Sequence, residues 1–468
     1  MRTRTAARLL LALCLLALLS PGAQADTSAA DRALAREIYE QLVEIDTSGE
    51  NGTTAAAEAV AARLRAAGLA PEQVQLLGPK PHKQNLVARI PGRAKREPPL
   101  FLLAHLDVVT ALASDWSVPP FELQEREGYF TGRGTADDKA MAAIFTTLFV
   151  RFAESKAKPR RELVLLLTAD EEGGPDNGVK WLLETHPELI ARGGVVINEG
   201  GGGAMRAGKR LFNGVQTSEK IYADFWLTLR DAGGHSSVPR KENAIYRLAA
   251  ALGRLEAAPF AVELNDANAR YFTRAAELEG GALGAALAAL ARDPTDAAAE
   301  AVVAEAPRYN ALARTTCVPT RLEAGHADNA LPQTARAHVN CRIVPWRTPA
   351  QTQQALAQKL GDDGIEITLG EDSNLSPPSP LEPGLMRAIE EITRALWPGV
   401  PVVPTMSTGA TDSLFFRTRG ISAYGVSGIF SDIDDVRAHG RDERVLVDSF
   451  YEGLDFLGQL VRRLGGVR

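Results

Sequence analysis

The run Leu163-Val164-Leu165-Leu166-Leu167-Thr168-Ala169 is the most apolar strand-like segment of the chain, and three acids follow it, Asp170-Glu171-Glu172. An unbroken apolar run of this length is typical of a strand that is buried on both faces of a sheet covered by helices. Three adjacent carboxylates at the end of a buried strand repel one another, which is costly unless a cation neutralises them. The stretch therefore predicts an α/β fold that carries a cation at one edge of its sheet.

Two other apolar runs also lead into residues that can bind a metal. Leu100–Ala104 is followed directly by His105, and Val195–Ile197 is followed after one residue by Glu199. Because the carboxyl ends of parallel strands share one edge of an open α/β sheet, the groups that follow these strands are expected to converge. They are His105, Glu171, Glu172 and Glu199. Carboxylates and imidazoles gathered at one edge are the ligand set of a hydrolytic metal site.

Two aspartates extend this set. Asp107 lies two positions after His105, so both side chains point the same way in an extended chain, and Asp107 is expected to accept the second ring N–H of His105. Asp137 lies in Gly132-Arg133-Gly134-Thr135-Ala136-Asp137-Asp138-Lys139, at the start of a predicted helix. A carboxylate is favoured there by the helix dipole, so an ordinary helix cap is the alternative for Asp137.

The periodicity changes after about residue 217, which divides the chain into domains. Apolar runs alternating with helical stretches predict α/β structure before that point, whereas Tyr222–Arg230 alternates as a half-buried strand does. The following order, β-α-β-β-α-β, predicts an inserted ferredoxin-like α+β domain with an Ala-rich helical insertion over about 261–314. The predicted boundaries are a signal peptide at 1–25, a catalytic domain at 26–216 and 373–468, and the inserted domain at 217–372.

Composition and the first residues bear on location and partners. The chain has 468 residues, 45% of them hydrophobic, and a net charge of −6, which argues against a nucleic-acid partner. Arg2, Arg4 and Arg8 precede the apolar run Leu9–Leu19, and Ala23-Gln24-Ala25 resembles a cleavage site. We expect a cleaved signal peptide and a periplasmic or secreted protein without a membrane partner; an uncleaved anchor is the alternative.

Two cysteines remain after such cleavage. Cys317 and Cys341 lie in strand-like segments on either side of a polar stretch that includes Asn329. If these segments form a hairpin, the two thiols lie opposite each other and a disulfide can form in an oxidising compartment. Two buried, unpaired thiols are an equally good interpretation.

Several short motifs in combination resemble one enzyme family, the dinuclear zinc exopeptidases that include aminoacylases, carboxypeptidase G, succinyl-diaminopimelate desuccinylase and the yeast Gly-Xaa carboxypeptidase. The motifs are AHLDVV, GRGTADDKA, ADEEGG, NEGG, GGHSSVP, NALP before CRIVP, GATDS and HGRDERV, which span residues 104–445. The resemblance implies a zinc-exopeptidase-like catalytic domain with a central mixed sheet, interrupted by the inserted domain, which would serve as a lid and dimerisation domain. It also implies two divalent ions, zinc in first place, with cobalt and manganese as alternatives.

The resemblance implies a role for each matching position. His105 and Glu199 would bind one metal, Glu172 and His439 the other, and Asp137 would bridge both through a loop with a cis peptide to Asp138. Glu171 would be the general base, Asp107 the orienting residue and His235 the oxyanion stabiliser. The positions implied to hold the substrate are Asn329, Arg342 and Gly409. Adjacent residues on a strand point in different directions, so we expect Glu171 to act as the base while Glu172 binds a metal.

These assignments predict a hydrolase that cleaves an amide bond next to a free carboxylate, acting on small peptides as a carboxypeptidase or dipeptidase. An N-acyl-amino-acid hydrolase is the first alternative, and a non-catalytic periplasmic binding protein on the same scaffold is the second. The complete set of expected residues favours an enzyme over the binding protein. A homodimer through the inserted domain is also expected, and His235 could then act in its own chain or in its partner.

Overall fold

The computed structural model describes residues 28–370 and 373–467. The expected signal peptide at 1–25 lies outside the described residues, and so does the predicted end of the inserted domain at 372.

The elements follow in chain order. Residues 28–219 form α1 (Ala29–Glu44), α2 (Thr54–Ala66), β1 (Val74–Lys80), β2 (Lys83–Ile90), β3 (Leu100–His105), β4 (Gln124–Arg126), β5 (Tyr129–Thr131), α3 (Lys139–Glu154), β6 (Leu163–Thr168), α4 (Gly178–Thr185), β7 (Val195–Asn198), β8 (Gly203–Arg206) and β9 (Lys209–Glu219). The inserted domain forms β10 (Ile221–Arg230), β11 (Gly234–His235), α5 (Ala244–Ala257), α6 (Asp266–Glu279), α7 (Gly281–Arg292), α8 (Ala297–Ala304), α9 (Pro307–Ala313), β12 (Thr316–Ala324), β13 (Ala330–Leu331), β14 (Thr334–Ile343), α10 (Pro349–Leu360) and β15 (Ile365–Leu369). The chain then returns with α11 (Pro383–Leu396), β16 (Val402–Ser407), α12 (Ser413–Arg417), β17 (Ser422–Gly425), β18 (Phe430–Asp432), β19 (Arg444–Leu446) and α13 (Val447–Gly465).

A mixed sheet forms the centre of the catalytic domain. Its strand order in the described residues is β1-β2-β6-β3-β7-β17-β9-β8-β18, and β16 pairs with β9. The apolar runs of the sequence are its central strands: β3 pairs in parallel with both β6 and β7. Alternate side chains of β3 enter two separate cores, so Leu102 packs with α1, α3 and α13, whereas Phe101 and Leu103 pack with α4 and α12. Helices on both faces explain why the strand is apolar throughout.

The inserted domain has its own antiparallel sheet, in the order β12-β14-β10-β15. The alternation predicted for β10 is confirmed, because Ala223, Phe225, Leu227 and Leu229 are all fully buried against α5 and α10. With α5 after β10 and α10 before β15, the expected β-α-β-β-α-β order is present.

The predicted boundary after residue 216 needs a correction. Strand β9 belongs to the catalytic sheet and continues to Glu219, which pairs with Ser407 of β16. The chain enters the sheet of the inserted domain only at Ile221, which pairs with Ile343 of β14. The apolar and polar pattern does not mark this point because β9 and β10 are almost continuous in sequence.

The helical insertion α6–α9 packs mainly against the catalytic domain. Its Phe272 and Leu312 share a core with Phe212 of β9 and Met406 of β16. The inserted sheet has a separate core with α5 and α10. The insertion therefore covers part of the catalytic sheet although it interrupts the other domain in sequence.

Cys317 and Cys341 are direct partners in the pairing of β12 with β14, and they form a disulfide. The hairpin alternative of the sequence analysis is thus the one that the structure adopts.

Among the helices of residues 28–370 and 373–467, none is long and apolar enough to cross a membrane.

Candidate dinuclear metal centre

The residues expected to converge do lie at one edge of the central sheet. His105 is the last residue of β3, and Glu199 directly follows β7. Glu171 and Glu172 lie in the turn after β6 rather than on the strand, because β6 ends at Thr168. The expectation that strand geometry separates these two glutamates is therefore wrong.

Asp137 lies between two groups of potential ligands. Its Oδ1 is 2.8 Å from His105 Nε2, which is also 3.8 Å from a Glu199 oxygen. Its Oδ2 is 3.2 Å from His439 Nε2, which is 2.7 Å from a Glu172 oxygen. The two sets, His105–Asp137–Glu199 and Asp137–Glu172–His439, each bring their ligand atoms within 4.8 Å of one another. Asp137 is thus placed to face two cations with one oxygen each.

The loop that carries Asp137 is held by Glu443. The Glu443 carboxylate accepts hydrogen bonds from the backbone N–H groups of Gly134 (3.0 Å), Ala136 (2.6 Å) and Asp137 (3.0 Å). It also pairs with buried Arg133 at 2.7 Å. The peptide between Asp137 and Asp138 is cis, as the family resemblance implies. Glu443 lies four residues after His439, so one motif supplies both a potential ligand and the support for another.

Asp107 supports His105 in a way that differs from the sequence-based expectation. The His105 Nδ1 atom is 2.9 Å from the backbone carbonyl of Asp107 but 3.7 Å from its carboxylate, which is too far for a hydrogen bond. The carboxylate instead accepts the backbone N–H of Glu172 at 3.0 Å. Asp107 therefore orients the imidazole through its main chain and positions the turn of Glu172 through its side chain.

The buried carboxylates make this edge strongly suited to cations. Burial raises the pKa of Glu199 well above its usual value, and repulsion from Glu171 adds to that effect while His105 opposes it. Burial also raises the pKa of Glu172 to about 7, with a further contribution from Asp137. Bound cations would remove the cost of charging these groups. The donor set of imidazole nitrogen and carboxylate oxygen fits two divalent ions such as zinc.

Glu171 belongs to neither group, but its carboxylate interacts electrostatically with His105, Asp137 and Glu199. Burial raises its pKa well above the usual range; His105 opposes the shift, and the charges of Asp412, Asp107 and Asp137 reinforce it. A carboxylate with a raised pKa can both take and return a proton near neutral pH. This position suits a general base, which remains a prediction.

Sequence reasoning missed Asp412 and Glu443. Asp412 is buried, and its carboxylate accepts hydrogen bonds from Thr168 Oγ1 (3.2 Å) and Asn177 Nδ2 (2.7 Å), which ties the end of β6 to the start of α4. Both acids lie inside motifs already identified, GATDS and HGRDERV. Membership in those motifs was the available signal, whereas the burial of both acids is seen only in the structure.

The four residues implied to contact the substrate are divided between the inserted domain and the catalytic domain. His235 is exposed and contacts Ser237 Oγ at 2.8 Å, and its strand β11 pairs with β13 beside the exposed Asn329. Arg342 lies on β14, where its guanidinium stacks on the Tyr222 ring at 4.8 Å. Gly409 lies in the catalytic domain after β16. His235 and Asn329 are therefore brought together, while the roles of all four remain predictions.

An α/β sheet that gathers two imidazoles and a set of buried carboxylates at one edge, with a second domain inserted beside it, defines a metal-dependent hydrolase. Residues 101–463 match the family model described as Peptidase family M20/M25/M40. The chain belongs to that family, which confirms the resemblance seen in its motifs.

Individual relatives agree with this assignment. The chain is 30% identical over 371 residues to the N-fatty-acyl-amino acid synthase/hydrolase PM20D1 of Xenopus tropicalis, covering 78% of this chain and 72% of that relative. It is 27% identical over 414 residues to the probable carboxypeptidase S-like 2 of Dictyostelium discoideum, covering 84% and 78%. Its fold is similar to that of the M20 family metallo-carboxypeptidase Sso-CP2 from Sulfolobus solfataricus, with a TM-score of 0.65, 18% identity and coverage of 92% and 98%.

Proposed function

We propose that the protein uses two divalent ions, zinc in the first instance, to hydrolyse an amide bond next to a free carboxylate. The observation that carries this proposal is the position of Asp137, whose two carboxylate oxygens face separate imidazole–carboxylate groups. His105 and Glu199 would hold one ion and Glu172 and His439 the other. Cobalt or manganese could replace zinc with the same ligands.

The chain's own residues account for the proton transfers. When bound, the two ions would polarise the scissile carbonyl and lower the pKa of a bound water molecule to about 7. Glu171 then takes the proton of the attacking water and returns it to the leaving nitrogen. His235 donates a hydrogen bond to the developing oxyanion, and Arg342 pairs with the free carboxylate of the substrate.

Two substrate classes are compatible with this chemistry. Small peptides are the first, since the relatives include proteins named for carboxypeptidase activity. N-acyl amino acids are the second, favoured by the 30% identity with a protein named for hydrolysis of N-fatty-acyl amino acids. A panel of dipeptides and N-acyl amino acids, assayed with and without a chelator, separates them. Hydrolysis of neither class by metal-loaded protein would refute the proposal.

The inserted domain supports a proposal of dimerisation. Its edge strand β12 exposes the apolar side chains of Val318 (54%) and Leu322 (64%), and an exposed apolar edge strand is suited to pairing with another chain. If His235 acts across such a dimer, mixing the inactive variants Glu171→Gln and His235→Ala restores activity. Light scattering gives the mass of the protein in solution. A monomeric mass, together with no activity in the mixture of the two variants, would contradict the proposed dimer.

We also propose export to the periplasm or the medium. The basic, apolar and small-residue order of positions 1–25 supports it. The disulfide between Cys317 and Cys341 supports it as well, because such bonds persist in oxidising compartments. N-terminal sequencing of the protein recovered from cell fractions tests this, and a cytoplasmic, uncleaved chain would contradict it.

A further inference from the structure

Strand β2 carries two buried polar side chains, Lys83 and Asn85, which are 8% and 0% exposed. They lie two positions apart and therefore on the same face of the strand. The pairing of β2 with β6 sets Leu86 opposite Leu167, so the residues before Leu86 lie beside the segment that follows β6. That segment, the 169–177 turn, carries Glu171 and Glu172 and ends where α4 begins.

Lys83 forms an ion pair with the residue that directly precedes the candidate base. Its Nζ donates to Asp170 Oδ2 at 2.5 Å, and each of the two side chains is only 10% exposed. The same Nζ is 3.5 Å from Asp176 Oδ2 at the other end of the turn. Asp170 has a φ of +55°, a backbone conformation that residues other than glycine rarely adopt. The contact with Lys83 therefore helps to hold an unfavourable conformation directly beside Glu171.

The surroundings of Asp170 leave its carboxylate little room to move. A Cβ atom at Gly174 would lie 2.3 Å from Asp170 Oδ2, so the turn folds closely over that oxygen. Asn177 Nδ2 donates to the Asp170 carbonyl at 3.2 Å, and Asn85 Oδ1 accepts the N–H of Ala169 at 2.9 Å. Side chain and main chain of Asp170 are thus held together, and a shift of one moves the residues that follow.

The 169–177 turn serves the two candidate metal positions unequally. Glu172 belongs to the group with Asp137 and His439, and its carboxylate is 2.7 Å from His439 Nε2. The other group, His105–Asp137–Glu199, contains no residue of the turn. A displaced turn would therefore weaken one metal position through Glu172 and leave most ligands of the other in place.

We propose that Lys83 is a positioning residue, whose ion pair with Asp170 sets the places of the base Glu171 and of the metal ligand Glu172. The inference rests on the proposed amide hydrolysis and adds a residue from a neighbouring strand. Lys83 belongs to neither ligand group, so its effect passes through Asp170. Loss of a contact that supports a metal ligand typically lowers metal affinity or activity by about 10- to 100-fold.

Lys83→Met tests the proposal, because methionine keeps a long unbranched side chain and removes the charge. We expect kcat to fall by about 10- to 100-fold. Dialysis against graded chelator, followed by metal analysis, should show that one of the two ions is released at a lower chelator concentration than in the native protein. Lys83→Arg keeps the charge and should restore most of both properties.

Lys80→Met is the matched control. Lys80 pairs with Asp176 of the same turn at 2.5 Å, but its side chain is 46% exposed and Asp170 is not its partner. The substitution removes the same charge beside the same turn and leaves the Lys83–Asp170 pair intact. It should retain both ions and the native kcat.

Asp170→Asn provides a second route if Lys83→Met does not fold. It should cause a similar loss of kcat and release the same ion. The double variant should lose about as much as either single variant, because both substitutions break one contact. Losses that multiply in the double variant would show that Lys83 acts independently of Asp170, which overturns the proposal.

The remaining outcomes separate this proposal from the proposed function. Native kcat and native release of both ions in Lys83→Met overturn the positioning role while amide hydrolysis stands. Equal weakening of both ions, or the same loss in Lys80→Met, also overturns it, because either result indicates a general effect on stability or charge. If the native protein hydrolyses no amide but Lys83→Met still releases one ion early, the proposed function fails and the positioning of Glu172 stands.

Discussion

The carboxylate of Glu443 accepts a hydrogen bond of 3.0 Å from the backbone N–H of Asp137, the residue that two candidate metal sites share. The same carboxylate holds buried Arg133 at 2.7 Å. The loop that also carries His439 therefore supplies the hydrogen-bond partner of Asp137, although the two segments are about 300 residues apart in sequence. This coupling leads to the first prediction.

Glu443→Gln should weaken metal binding. The substituted amide has only one acceptor oxygen for the N–H donors of the Asp137 loop, and its own N–H₂ would face them. Loss of such a supporting contact typically lowers metal affinity or activity by about 10- to 100-fold. Metal content after dialysis against graded chelator measures the effect. Asp442→Asn, at a neighbouring carboxylate that bonds Ser117 on the surface, is the control, and native metal retention in Glu443→Gln would contradict the prediction.

Glu171→Gln should separate catalysis from metal binding. Glu171 lies outside both ligand groups, so its neutral substitute should leave about two ions per chain while removing the proton acceptor. General-base catalysis typically contributes about 10²- to 10⁴-fold, and we expect a loss of that order in kcat. Glu172→Gln is the matched comparison, because it should lose metal as well as turnover. Equal metal loss in both variants would show that Glu171 is a ligand.

The convergence of the site could be predicted from sequence because it follows from topology. Once β3, β6 and β7 are identified as buried parallel strands, the residues after them must share an edge, and His105 and Glu199 do. The alternation of β10 likewise fixes which of its side chains are buried. Periodicity therefore predicted most of the architecture.

Other features depend on partners that periodicity does not specify. An amphipathic helix shows that one face is buried but not what covers it, so the packing of α6 on β16 could not be predicted. The hydrogen bond from His105 to the carbonyl of Asp107, rather than to its carboxylate, depends on a difference of less than 1 Å. Glu443 accepts hydrogen bonds from backbone N–H groups. Because nearly every residue carries such a group, the sequence does not indicate which ones Glu443 contacts.

Arg342→Ala should mainly raise KM for substrates with a free carboxylate. A hydrogen bond to a charged group contributes about 1.5–3 kcal/mol, or roughly 10- to 100-fold in kcat/KM. Arg336→Ala is a closely matched control, because Arg336 lies on the same face of β14 and stacks on Trp226 as Arg342 does on Tyr222. Assays with carboxyl-amidated substrates complete the test. An equal loss on free and amidated substrates would exclude carboxylate recognition by Arg342.

Lys220 connects the two domains and is buried in a cationic environment. Its side chain is 1% exposed, and its Nζ donates to Thr316 Oγ1 at 3.3 Å. Burial, reinforced by the charges of Arg342 and Arg314, lowers its pKa from 10.5 to about 7. The folded protein therefore favours the neutral amine, whereas the unfolded chain keeps the proton up to a much higher pH.

Because the unfolded state binds more protons between about pH 7 and pH 10.5, Lys220 makes the free energy of unfolding rise with pH over that range. Lys220→Met removes this dependence, so the variant should be more stable than the native protein near pH 7, and its advantage should shrink as pH increases. Urea unfolding at pH 7, 8 and 9 measures the difference, with Lys209→Met at an exposed position as the control. The prediction is contradicted if the difference in free energy of unfolding between Lys220→Met and the native protein is the same at all three pH values. Lys220 would then remain charged in the folded protein, and a group other than Arg342 and Arg314 would compensate its charge.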